Sequence, residues 1–243
     1  MSGIHHPTYI HIPKCGGSTL LTIMESHYGK DRIYRTHWGE KPGQGMVMVH
    51  VGNLDPGLMS GTLQHIMAQE PGLELDLITF LRDPVDRALS HFYFAYQDPE
   101  WPGNKDFPGR LLSENPGNLQ TWYLGGPYWF GVPEPEEQLR RAKKRLQKCR
   151  VVGLVSRYDE SLLMMKKAFD WDWHNYTKQN VSRIRPKREE ISAEVLDALK
   201  KKNSLDLELY EFAKLLFEEQ VKNYGPGLER DHREFVGPTR CEL

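Results

Sequence analysis

Cysteine is scarce: Cys15, Cys149 and Cys241 are the three in 243 residues. Scattered and odd in number, they do not form a disulfide framework, and a reducing, cytoplasmic setting is expected. No run of about 18 apolar residues occurs, so no membrane span is expected. Residues 1–8 carry no apolar h-region, so no signal peptide is read there. Neither sign of charge dominates, with 32 Lys and Arg against 33 Asp and Glu and a net charge of −1. That balance provides no bulk attraction for nucleic acid. Zinc-spaced Cys and His clusters are missing, and His5-His6 reads as a terminal pair rather than a metal site. Without internal repeats or a low-complexity linker, the chain fits one α/β domain spanning residues 1–243.

The most informative stretch is Tyr9-Ile10-His11-Ile12-Pro13-Lys14-Cys15-Gly16-Gly17-Ser18-Thr19-Leu20. Ile10 and Ile12 alternate with Tyr9 and His11 as in a short strand, and Pro13 ends it. Gly16-Gly17 permits a sharp turn and close approach to a ligand. Ser18 and Thr19 open an amphipathic helix towards Tyr28. The start of a helix carries unpaired N–H groups and the positive end of the dipole, and Lys14 adds a full charge. Such a turn cradles an anion, usually phosphate. It is not a Walker A loop, whose lysine follows the second glycine after a longer spacer, nor is it Gly-x-Gly-x-x-Gly.

Further along, apolar runs predict strands at 33–36, 46–51, 75–81 and 151–155. Helices are expected at 58–68, 85–96, 118–124, 135–149, 158–169, 192–202 and 205–223. Pro84 suits the first position of its helix. Residues 98–131 read as loop-rich, with many aromatics and only the short helix at 118–124. Residues 175–187 read as basic and irregular. Strands separated by helices imply a three-layer, mostly parallel sheet flanked by helices. Ligands in such sheets sit at the carboxyl ends of the strands, a rim shared by Lys14, His50 and Arg82.

The second motif is Phe80-Leu81-Arg82-Asp83-Pro84-Val85-Asp86-Arg87-Ala88-Leu89-Ser90-His91-Phe92. A guanidinium fork at a strand end and a hydroxyl two turns into the next helix suit a second phosphate. The alternative is an ordinary helix capped by Asp83, with Arg87 paired to it at i, i+4. His50 ends a buried strand and is suited to general-base work near neutral pH. A core histidine is the alternative, and His37 is the second candidate base. The run Arg140-Arg141-Ala142-Lys143-Lys144-Arg145 invites a polyanion site. Leu139, Ala142, Leu146 and Cys149 share one helical face, however, and Glu136 and Glu137 can pair with Arg140 and Arg141. A solvated face is the reading there.

Ile-Pro-Lys-Cys-Gly-Gly-Ser-Thr resembles the 5′-phosphosulfate loop of sulfotransferases that use 3′-phosphoadenosine 5′-phosphosulfate (PAPS). More narrowly, it resembles the branch containing the heparan sulfate 2-O-sulfotransferases and their soluble bacterial relatives. That branch usually has threonine where Cys15 stands. Animal members are Golgi membrane proteins, and their anchor is not seen here. Arg-Asp-Pro-x-x-Arg-x-x-Ser-x-Phe resembles the family's 3′-phosphate site, which implies that Arg82 and Ser90 grip that phosphate. The family carries His-Gly-His-Val where this chain reads Met48-Val49-His50-Val51, so only the presumed base, His50, is present. Asn180-Val181-Ser182-Arg183 resembles a late loop that closes over the nucleotide, implying a role for Arg183, with Arg185, Lys187 and Arg188 as alternatives. Val152-Gly153-Leu154-Val155-Ser156-Arg157-Tyr158 and Asn118-Leu119-Gln120-Thr121-Trp122-Tyr123-Leu124-Gly125-Gly126 match other family segments. Relatives often have a basic residue at Trp122, which implies a less acidic or more aromatic acceptor here.

The resemblance implies a P-loop-nucleotide-hydrolase-like sulfotransferase fold and transfer of a sulfuryl group from PAPS to a hydroxyl, with PAP as product. The acceptor would be a carbohydrate or glycoconjugate. Lys14, Cys15, Gly16, Gly17, Ser18 and Thr19 would bind the 5′ end, Arg82, Ser90 and Arg183 the 3′ end, and His50 with Lys14 would act on the reacting atoms. No metal is required. Two separate phosphate sites favour a 3′,5′-bisphosphate over ATP. The rivals are a small kinase or other NTP-dependent transferase, and a non-catalytic nucleotide or sulfated-glycan binding module.

Overall fold

The computed structural model describes residues 6–29, 33–35, 46–50, 75–95, 107–125, 134–172, 176–177 and 188–235. The helix expected at 58–68 and the residues His37, Arg183, Arg185 and Lys187 lie outside them. Five strands form one parallel sheet: β1 (His6–His11), β2 (Ile33–Arg35), β3 (Met46–His50), β4 (Leu75–Leu81) and β5 (Val151–Leu154), in the order β2-β3-β1-β4-β5. The expected α/β class and the strand positions therefore hold. Consecutive residues Ile78, Thr79, Phe80 and Leu81 are all fully buried, as are Tyr9 and Ile10. Side chains alternate between faces along a strand, so both faces of β4 and β1 are covered. Gly153 lets the Phe80 ring lie against β5, since a Cβ there would stand 2.7 Å from the ring.

The helices are α1 (Gly17–Tyr28), α2 (Pro84–Ala95), α3 (Phe107–Glu114), α4 (Leu119–Gly125), α5 (Pro135–Gln147), α6 (Tyr158–Phe169), α7 (Ala193–Lys202), α8 (Ser204–Tyr224) and α9 (Gly227–Glu234). Pro84 is the first residue of α2, and Ser192 caps α7 by accepting from the Val195 N–H. Two helices depart from the sequence reading. α3 lies in the stretch read as loop, because Pro108 and Gly109 are loop signals that the first turn of a helix tolerates. α9 likewise follows Pro226 and buries only Leu228. The buried seam of α8 is Asp206, Leu209, Tyr210, Ala213 and Phe217. The seam includes Asp206 because its carboxylate turns inward to accept from the Gln120 and Thr121 N–H groups of α4.

α5 buries Leu139, Ala142 and Leu146, and Glu137 takes both Arg140 (2.6 Å) and Arg141 (2.7 Å), as a solvated charged face would. Of the two glutamates expected to pair, Glu137 serves both arginines. The main core surrounds the sheet. A smaller cluster joins Val85, Ala88, Leu89 and Phe92 of α2 to Leu111, Val195 and Leu199. Among the described residues, no helix is long and apolar enough to cross a membrane.

The strand order positions the site. The chain leaves β1 towards the β3 and β2 side and leaves β4 towards β5. Connections diverge between these two neighbours, so a crevice opens beyond their carboxyl ends. Their register, Ile10 opposite Thr79, brings Lys14 and Arg82 to the same edge.

Candidate functional site

The turn after β1 is held open by its backbone. Lys14 has φ 69° and Gly16 φ 79°, both left-handed. For a lysine this is a strained conformation of the kind that clusters at ligand-binding turns. The Cys15 N–H donates to the Ile12 carbonyl at 3.3 Å, and α1 begins at Gly17 without a side-chain cap. Both glycines are demanded by close neighbours. The Tyr158 hydroxyl donates to the Gly16 carbonyl at 2.8 Å, and a Cβ on Gly16 would lie 2.6 Å from the Tyr158 ring. A Cβ on Gly17 would lie 2.2 Å from the His11 imidazole and 3.1 Å from the Tyr9 hydroxyl. Tyr158 and His11 thus shape the loop, and the sequence reading assigned neither a role.

The two motifs meet. The Arg82 guanidinium donates through Nη1 to the Lys14 carbonyl at 3.2 Å. Behind them the buried Gln120 amide works as a clamp. Its Oε1 accepts from the Arg82 N–H at 3.0 Å, and its Nε2 donates to the Arg82 carbonyl at 2.9 Å. The Cys15 thiol lies 3.6 Å from the same Oε1. Gln120 was not singled out from the sequence. Its signal was a lone amide amid the apolar residues of α4.

Asp83 caps α2, its Oδ1 accepting from the Asp86 N–H at 3.0 Å, and it also takes Arg188 at 3.4 Å. The proposed i, i+4 pairing with Arg87 is absent. Arg87 is fully buried and turns to Asn115, donating from Nη2 at 3.4 Å, while its Nε and Nη1 have no hydrogen-bond partner among the described residues. The carboxylate near it is Asp206, which accepts from the N–H groups of Gln120 at 3.0 Å and Thr121 at 2.6 Å. Arg87, Ser90, His91 and Phe94 fall at i, i+3, i+4 and i+7, one stripe of α2. The stripe runs from the interior outwards: Arg87 is fully buried, Ser90 is buried and Phe94 is exposed.

Electrostatics follow this geometry. Burial, then the charge of Arg82, lowers the Lys14 ammonium to about 8. His91 is held below the usual imidazole range by burial and by the nearby Arg87 and Lys14 charges, and its Nδ1 is buried without a partner among the described residues. Burial pushes the Cys15 thiol up to about 12, so it stays protonated and is no nucleophile.

His50 ends β3 directly opposite His11 in the parallel register, one strand from the loop. Its side chain lies outside the described structure. Arg188 is the described member of the late basic segment, and it contacts Asp83 beside Arg82. Of the aromatics in residues 98–131, Tyr123 is buried, and Trp122 packs edge-on against it.

Lys14, Arg82 and an uncapped helix start therefore converge on one crevice. Among the described residues, buried polar atoms without hydrogen-bond partners include the Tyr9 hydroxyl beside Gly17, Arg87 Nε and Nη1, and the Nδ1 of His91 near Lys14 and Arg87. This donor set suits an anion. Among the described residues, no group of three His, Cys, Asp or Glu is placed to hold a metal ion. No protein-family model matches the chain, and no curated protein matches it.

Proposed function

We propose that this chain is a PAPS-dependent sulfotransferase with a P-loop-like sulfotransferase fold, acting on a hydroxyl of a carbohydrate or glycoconjugate in the cytoplasm. The observation that carries the reading is the bond from Arg82 to the Lys14 carbonyl, which joins two anion-binding motifs far apart in sequence. A 3′,5′-bisphosphate needs two such grips on one crevice. In this reading the amides at the start of α1, together with Lys14, hold the 5′ end. Arg82 and Ser90 hold the 3′ end, with Arg183 closing from the late basic segment. PAPS would supply an activated sulfuryl group on a good phosphate leaving group.

His50 takes the proton from the acceptor hydroxyl as that oxygen bonds to sulfur. The bond between sulfur and the 5′-phosphate oxygen breaks, its electron pair stays on that oxygen, and PAP departs. Lys14 and the loop amides stabilise the charge growing there. The left-handed Lys14 and Gly16 fix the amides before the substrate arrives, so little reorganisation is needed in the reaction. Losing one such donor costs on the order of 10²–10³ in rate.

The test is transfer of labelled sulfate from PAPS to a panel of hydroxyl acceptors. The wild-type protein is expected to transfer. His50→Ala is expected to lose transfer yet keep PAP affinity within about twofold. Turnover by His50→Ala at the wild-type rate refutes the base assignment, and no transfer by any acceptor with intact PAP binding favours a binding module.

A further inference from the structure

Lys14 belongs to the first motif and Phe94 lies just beyond the second, yet the two touch. The Lys14 Nζ stands 3.5 Å from the centroid of the Phe94 ring. That is a close cation–π contact. The ring itself is 51% exposed, unusual for a phenylalanine on a helix whose neighbours Val85, Leu89 and Phe92 are buried. Among the described residues no carboxylate pairs with Lys14. Burial, and then the charge of Arg82, whose guanidinium bonds the Lys14 carbonyl, disfavour the ammonium. The lysine side chain reaches the outer end of the stripe that carries Ser90 and His91.

We propose that Phe94 is the resting seat of the Lys14 ammonium, a positioning residue that holds the cation to one side of the loop until a phosphate draws it off. This rests on the nucleotide reading above. A ring face offers a cation a shallow attraction at an exposed site, whereas a phosphate oxygen offers a charge-assisted hydrogen bond. The exchange is downhill, but leaving the ring subtracts from the affinity for the anion. Removing the ring is therefore expected to tighten nucleotide binding, opposite to what loss of a ligand contact would do.

The test uses the full chain with lysines reductively dimethylated with ¹³C, which keeps their charge. The Lys14 methyl resonance is assigned by its loss in Lys14→Arg. It is expected upfield in the wild type through the ring current of Phe94, at the position of a solvated lysine in Phe94→Leu, and shifted towards that position in the wild type on adding PAP. By calorimetry, Phe94→Leu should bind PAP about two- to fivefold tighter, the factor that an exposed cation–π contact represents. The gain should vanish in a Lys14→Met background, and Phe94→Tyr, which keeps a ring, should match the wild type. A structural role for Phe94 would not depend on Lys14. A wild-type resonance at the solvated position, or a Phe94→Leu protein that binds PAP equally or more weakly, overturns the proposal. If the ring shift is present but the wild type binds no PAP, the nucleotide reading falls and the release step with it, while the shift alone establishes the seat.

Discussion

Lys14 combines a left-handed backbone, a lowered basicity and a place at the start of an uncapped helix. Each is costly alone, and together they make sense as preparation for a negative ligand. The consequence is a pH dependence with a definite sign. Free Lys14 loses its proton near pH 8. A bound phosphate favours the charged form and so raises that value. PAP affinity should thus be level below about pH 7 and fall as pH rises through 8 and beyond, by up to about tenfold per unit between the free and bound values. Calorimetry from pH 6.5 to 9.5 checks this, and Lys14→Met should be weak and flat over the alkaline half. The strand-to-helix turn itself was legible from residue types alone, because Pro13, the turn glycines and the Ser18-Thr19 helix start are all local signals. Gln120 was not. Its role depends on bonding Arg82, 38 positions away, and nothing local marks that.

At the scale of elements, two helix starts cap one another. The Asn118 Oδ1 accepts from the N–H groups of Leu205 at 2.9 Å and Asp206 at 3.2 Å at the start of α8. Asp206 in turn accepts from the first N–H groups of α4. Because α4 carries Gln120, this exchange holds the clamp on Arg82. Asn118 also sits at φ 43°. Asn118→Gly should keep that conformation but lose the bonds to α8, costing about 1 kcal/mol. Asn118→Ala should cost about 1 kcal/mol more, for forcing a Cβ into the left-handed region. Urea denaturation of both variants checks the difference, and equal losses would show that the backbone carries no strain. Strands and most helices were legible because hydrophobic period and Pro or Gly punctuation are local. Helices α3 and α9 were missed because the same Pro and Gly also suit a first helical turn. The place of Asp206 in the α8 seam was not legible, because its partners on α4 lie more than 80 positions away.

At the scale of the whole molecule, a nearly neutral chain brings Lys14, Arg82 and Arg87 together around the turn after β1. The topology achieves this: β1 and β4 are neighbours whose onward connections diverge, so their carboxyl ends frame an opening. The parallel class could be read from alternating strands and helices, but the strand order could not. Only that order makes the loop and the Arg82 motif adjacent rather than merely on one rim. The central claim is that both anion grips hold one bisphosphorylated nucleotide. It is tested most directly by calorimetric affinities of wild type and Arg82→Met for PAP and for AMP, which lacks the 3′-phosphate. The wild type should bind PAP at least about tenfold tighter than AMP, a typical worth of a charge-assisted contact, and Arg82→Met should erase that preference while leaving AMP affinity nearly unchanged. Equal wild-type affinities for PAP and AMP, or a preference that survives Arg82→Met, would contradict it.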